Sequence, residues 1–318
     1  MITHTLLADA DLRHWIDNHP EVTAVYDGFK TTKGVRSRRR CVVFGVAQKR
    51  PIAEVAMEAR IPPYINGVPT DVIEGTYQAL NVNTGKQRPC PAGFSIGHHK
   101  ITAGTFGLAV RRAGEWLALT NNHVGANSND ATLGDDILQP GTADGGTRPA
   151  WATLAAFHPI TFEKPRSLWQ QLLDLLFRRK PPVQPTNRID AALCRPINQV
   201  DLRPEIDQLG PVVGVVVGTL GLPVQKNGRT TGLTKGSVVG TNGFVRVQYG
   251  TGKLAAFENQ LIIEGENGAE FSAGGDSGSA IVTTDMRVVG LLFAGGGGQT
   301  IANPIQDVFN VWPDLLVT

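Results

Sequence analysis

The chain has 318 residues, enough for about two domains. Hydrophobic content of 41% suits a folded core, and 37 glycines with 20 prolines call for many turns between short strands, the mark of a β-rich protein. A net charge of +2 excludes a whole-chain field that would recruit nucleic acid or a membrane surface.

The opening "MITHTLLADADLRHWIDNHPEV" has no basic start, long apolar stretch or small-residue cleavage site, so no secretory signal is expected there. No stretch approaches the roughly 18 apolar residues of a membrane span. Cys41, Cys90 and Cys194 are an odd number without paired spacing, which disfavours a disulfide framework or a four-ligand zinc site. These features together predict a cytoplasmic protein.

Residues 1–78 read as a small α+β leader domain. "EVTAVYDGFK" (21–30) and "RRRCVVFGVAQK" (38–49) have strand character, "PIAEVAMEAR" (51–60) opens with proline and reads as a short helix, and a third strand is expected at 71–74. The basic run "RSRRR" (36–40) reads as a solvated hairpin loop, with a polyanion site as its rival. The leader carries no nucleophile–histidine pair and no phosphate loop, so its expected role is scaffold, docking or regulation. Residues 79–95 read as a turn-rich linker.

From residue 96 to 318 the pattern is all β, with short strands and turns every 8–12 residues, as in a sandwich or barrels. "ITAGTFGLAVRRAGEWLALTNNHV" is a hairpin that turns at 112–114, and "NPIQDVFNVWPDLL" allows a short terminal helix. "HHK" at His98 and His99 reads as a polar turn in preference to a ligand pair. One segment breaks the pattern: "RSLWQQLLDLLFRRK" (166–180) is an inserted amphipathic helix with a serine cap and a basic end. It would cover a barrel or meet a partner or second subunit.

Three residues carry chemistry. His123 lies in "LALTNNHVGA" beyond an apolar strand, Asp190 in "NRIDAALCRP" at the start of another, and Ser277 in "GGDSGSAI". Acyl transfer by serine needs a base for its proton, and that base needs a buried acid to hold its tautomer. It also needs two amides aimed at the developing oxyanion, and glycines around Ser277 leave the backbone bare for this. Gly275 and Ser277 would supply the amides. Asp130, Asp135 and Asp136 are rival acids in a polar loop, and Asp174 lies within the helical insertion; Asp190 alone opens an apolar strand after it.

The order His, Asp, Ser in "TNNHV", "IDAAL" and "GGDSGS" resembles the chymotrypsin-fold (trypsin-like) serine peptidases over roughly residues 93–312. "KNGRTTGLTKGSV" resembles a strand of bacterial secreted members, and "GLLFAGGGGQTIANPIQDVF" resembles intracellular bacterial relatives and the plant narrow-leaf protein. The resemblance implies a double β-barrel, barrel one at about 96–200 and barrel two at about 210–312, with the cleft between them. It implies serine endopeptidase activity on a protein or peptide substrate, with neither cofactor nor metal. It also implies an Arg229–Asp276 ion pair that holds the oxyanion loop without activation cleavage. A pocket built from Phe271, Phe293, Ala294 and Gly295, lacking a carboxylate at its floor, predicts cleavage after small or apolar residues. "GGGG" (295–298) reads either as a bare wall for substrate or as a loose loop. A catalytically weak protease-fold scaffold and another serine hydrolase, such as an esterase, are the competing readings. A homo-oligomer or a regulatory partner is expected to act through residues 1–78 or the helix near 166–180.

Overall fold

The computed structural model describes residues 13, 16–32, 35–65, 67–75, 83–164, 169, 177 and 184–317. The fold is mainly β, and its strand pairing closes two barrels.

In the first barrel the chain from 104 to 112 forms two successive strands separated by Phe106 and Gly107. Its start, Gly104–Thr105, pairs with Ser95–His98, and its end, Leu108–Arg112, pairs with Glu115–Thr120. Ser95–His98 continues through Asp136–Leu138, Ala152–Phe157 and Ala192–Pro196 back to Glu115–Thr120, which completes the ring. Phe106, Trp151, Leu119, Ile137 and Leu154 fill it. The hairpin turn falls where expected, at Ala113 and Gly114, both with positive φ.

The second barrel is a ring of six strands. Pro223–Gly228 pairs with Gly232–Tyr249, then Lys253–Gly265, Gln299–Pro304, Arg287–Gly296 and Ala280–Val282 follow, and the last pairs back with Pro223–Gly228. Val224, Val238, Ile263, Phe271 and Leu292 pack together inside. The helix Ile305–Val311 follows the last strand, as the sequence predicts.

The leader strands extend the second barrel's sheet. Val22–Thr32 pairs antiparallel with Gly232–Tyr249, then with Val35–Val46, which runs parallel to Val68–Glu74. Tyr26, Cys41 and Val43 are buried with Val245 and Phe257, so the leader shares the barrel's core. The helix expected over 51–60 is replaced by two 3-10 turns, Ile52–Glu54 and Met57–Ala59. Ile52 and Met57 are exposed, and no apolar stripe is buried to stabilise a longer helix. The basic run occupies the exposed half of the strand Val35–Val46, where a loop was expected. Of the expected linker, residues 79–82 lie outside the described residues, and Cys90–Ala92 pairs in parallel with Leu202–Ile206. The predicted helix at 166–180 also lies outside the described residues apart from Trp169 and Phe177, which are helical and exposed. His98 is a buried strand residue whose Nε2 lies 3.0 Å from Asp135 Oδ2; the turn begins only at His99.

Candidate active site

Asp190 reaches His123 because of strand register. Ala192 pairs with Thr120, so two residues further out on both strands Asp190 stands beside the turn Asn122–Gly125. His123 Nδ1 lies 2.6 Å from Asp190 Oδ2, and the His123 amide donates to Oδ1 at 3.2 Å. A carboxylate only accepts, so Nδ1 carries the proton in this bond, and Nε2 is the ring nitrogen turned away from Asp190. Asp190 is fully buried and pinned through its backbone as well: Asn121 donates to its carbonyl at 2.7 Å, and its amide donates to Asn303 at 3.0 Å. The rival acids are engaged elsewhere: Asp130 with Lys253, Asp135 with His98, Asp136 with Arg148. Asp174 lies outside the described residues.

Ser277 comes from the second barrel and meets the first at its backbone. Its carbonyl accepts from the Thr105 amide at 2.7 Å. Gly104 lies between Val124 and that carbonyl; a Cβ there would fall 2.3 Å from Val124 Cγ2 and 3.0 Å from Ser277 O. The loop before Ser277 is oriented by its carbonyls. Asp276 N bonds Ala273 O across a turn in which Gly275 has φ +96°, a conformation that suits glycine. Thr230 Oγ1 holds the Gly274 carbonyl, and the Ser279 amide holds the Asp276 carbonyl at 2.9 Å. In a trans peptide N–H and C=O point in opposite directions, so the Gly275 and Ser277 amides each point away from those bonded carbonyls.

Ser277 Oγ itself donates to the Phe293 carbonyl at 3.3 Å, and no hydrogen bond joins it to His123 among the described residues. Phe293 is the link between the two groups: with His123, Tyr249, Ala294 and Ile101 it lines a cleft of about 190 Å³.

The predicted Arg229–Asp276 pair does not form. Arg229 makes a two-point bond to Asp144, Nε at 2.5 Å and NH2 at 2.6 Å, and its amide donates to Thr105. It sits just past the end of its strand, at the turn, where its side chain crosses to the first barrel and ties the two together. Asp276 is instead held by Lys226, whose Nζ is 3.4 Å away and fully buried. It also accepts from the amides of Thr230 (2.7 Å), Thr231 (3.2 Å) and Ala273 (2.9 Å) and from the Thr231 hydroxyl (2.7 Å). Burial pulls the Lys226 ammonium below its ordinary pKa, and the Asp276 charge pulls the other way. Gly228 makes room for this: a Cβ there would lie 2.5 Å from Asp276 Oδ1 and 2.6 Å from Ser279 Oγ. Gly228→Ala is therefore expected to cost about 1–3 kcal/mol, read as a lower urea midpoint; an unchanged midpoint would show that the loop has slack.

The four residues expected to build a pocket fall in different places. Phe293 and Ala294 line the cleft. Phe271 does not: its ring is buried in the second barrel beside Lys226, because its neighbours Val224, Val238 and Ile263 form an apolar core there. Gly295 pairs with Thr300, and a Cβ on it would stand 3.1 Å from Ser272 Oγ. The four glycines close a tight hairpin, Gly297 and Gly298 both having positive φ, packed against Glu74 and Gly75 of the leader. Cysteine is not a rival nucleophile: burial pushes Cys41 up to about 11 and Cys194 up to about 12. Among the described residues no group of three or more His, Cys, Asp or Glu could hold a metal ion.

Sequence reasoning missed Lys226, Asp144, Tyr249 and the two threonines of "GRTTG". The threonines were visible in the motif that pointed to Arg229.

Two closed barrels, with a His–Asp pair from one and a serine loop from the other, define the chymotrypsin-like fold. Within it, residues 197–303 match the family described as the Nal1 C-terminal domain, in line with the resemblance to the plant narrow-leaf protein. No curated protein matches the chain in sequence. Similar solved structures include a glutamic acid specific serine protease at 18% identity, covering 72% of this chain and 100% of that one with TM-score 0.46. Thermobifida fusca protease A is 15% identical, with 72% and 99% covered and TM-score 0.46. Nocardiopsis protease is 16% identical, with 70% and 97% covered and TM-score 0.44.

Proposed function

We propose that the chain is a serine endopeptidase acting on protein or peptide substrates. The observation that carries this is the bonded His123–Asp190 pair; the Ser277 loop, with its Gly274 and Asp276 carbonyls bonded, leaves the Gly275 and Ser277 amides to serve as the oxyanion donors in this reading. On substrate binding Ser277 Oγ leaves the Phe293 carbonyl by a rotamer change and gives its proton to His123 Nε2 as it attacks the scissile carbonyl. Asp190 stabilises the imidazolium, the two amides take the oxyanion, and His123 returns the proton to the leaving amine. Water then hydrolyses the acyl-enzyme by the same route. Neither cofactor nor metal enters the scheme.

The buried Ser277 hydroxyl, bonded to Phe293, favours a restrained enzyme, and a catalytically weak scaffold is the second reading. We assign contact with a regulatory partner or a second copy to residues 1–78 or the segment 166–180. We place the protein in the cytoplasm, on three free, buried cysteines. No helix among the described residues is long and apolar enough to cross a membrane.

The apolar wall of Phe293 and Ala294 supports cleavage after small or apolar residues. Incubated with an unstructured protein, the wild type is expected to cut after such residues and Ser277→Ala to leave it intact. Equal cutting by both forms would remove the peptidase reading; preference for Lys or Arg would remove the specificity alone.

A further inference from the structure

We propose that Tyr249 is a positioning residue that tunes the basicity of His123 by donating its hydroxyl to the same Asp190 oxygen that holds the imidazole. The inference rests on His123 and Asp190 acting as the base and its orienting acid. Tyr249 Oη lies 2.7 Å from Asp190 Oδ2, which also takes His123 Nδ1 at 2.6 Å. The tyrosine ends the strand Gly232–Tyr249 of the second barrel, while Asp190 and His123 belong to the first. It therefore locks the acid across the interface between barrels.

The ring is held from several sides. It packs edge-on to His123 with centroids 5.6 Å apart, and against Phe162 at 5.7 Å and Phe257 at 6.2 Å. Burial and the Asp190 charge push the phenol well above its ordinary pKa, so it remains a donor throughout the working range. A tyrosine needed only for packing could satisfy its hydroxyl on any backbone carbonyl. This one shares a carboxylate oxygen with the imidazole, draws charge from it and so weakens its hold on the imidazolium.

Other charged groups nearby are spoken for or distant in role. Lys253 bonds Ser128 O and Asp130 and lies over the Phe162 ring. His158 meets the Asp190 segment through its backbone, its amide donating to Ala191 O at 3.0 Å and its carbonyl accepting from Asn122.

The test is the His123 imidazole titration, followed by NMR in the full chain with and without Tyr249→Phe. With the competing donor gone, the midpoint should rise, and the acid limb of kcat/KM should move with it. Placing 3-fluorotyrosine at position 249, a stronger donor of nearly the same size, should move the midpoint down. It also decides the matter if the phenylalanine variant fails to fold. A midpoint that stays put, or shifts in the opposite sense, overturns the role of Tyr249. The NMR reading does not depend on turnover. An unmoved midpoint in an active enzyme therefore removes Tyr249 alone, and a moved midpoint in a protein that cuts nothing removes the peptidase reading alone.

Discussion

Asp190→Asn is expected to fold normally and to lose about 10⁴-fold in kcat. The asparagine amide is the same size as the carboxylate and can keep the backbone bonds to Asn121 and Asn303. It cannot hold Nδ1–H as an anion does. Its NH2 group would face Nδ1 as readily as its oxygen, which favours the tautomer with the proton on Nε2, the atom that must accept from Ser277. The imidazolium that forms during attack would also lose its counter-charge. The measurement is kcat on a peptide substrate beside a urea unfolding curve. Full activity with a normal midpoint would mean that another group serves as the orienting acid. Asp130, Asp135 and Asp136 are poor candidates, each being paired outside the site.

The second large effect falls on the loop. Lys226→Met leaves the Asp276 carboxylate buried without its cation, and breaking such a pair costs about 3–5 kcal/mol. The low end of that range is expected, because three amides and the Thr231 hydroxyl still bond Asp276. Replacing both partners, as Lys226→Met with Asp276→Asn, should recover part of the stability, since the uncompensated charge is then removed. Activity should not recover with it, because the turn that directs the Gly275 amide loses its anchor. Arg229→Met should behave differently. It strands Asp144 and loosens the tie between barrels while leaving the Lys226–Asp276 pair in place. Urea midpoints and kcat for the three variants separate these cases. Equal losses of kcat for Lys226→Met and Arg229→Met at matched stability would contradict the assignment of Lys226 to the loop.

His123, Asp190 and Ser277 could be singled out in the sequence because each carries a local signature. His123 and Asp190 each sit at the end of an apolar strand, and Ser277 is surrounded by glycines. The meeting of His123 and Asp190 follows from β register, which a two-residue alternation transmits faithfully. The ion-pair partners were not legible in this way. Arg229 and Lys226 are three residues apart in one strand-and-turn segment, and either could face Asp276. Which one does so depends on where the strand ends: Lys226 lies within it and points beneath the loop, while Arg229 lies beyond it and crosses to Asp144. Tyr249 was hidden for a related reason, since it reaches Asp190 only because the barrels pack together. Phe271 was misplaced because its ring turns into the core with Val224, Val238 and Ile263, a choice set by packing between elements and not by local pattern. The leader's strands were recognised at about the right positions. That their sheet would continue the second barrel depends on an edge pairing, Ala24 with Val245, that no local pattern announces.

The proposed chemistry turns on Ser277 being an activated nucleophile. Treating the folded chain with a fluorophosphonate probe and mapping the adduct by mass spectrometry tests it most directly. The expected result is a single adduct on Ser277 in the wild type, and none in Ser277→Ala or at pH values where His123 is protonated. No adduct on Ser277 under conditions where the wild type is folded would contradict the claim and leave a protease-fold scaffold.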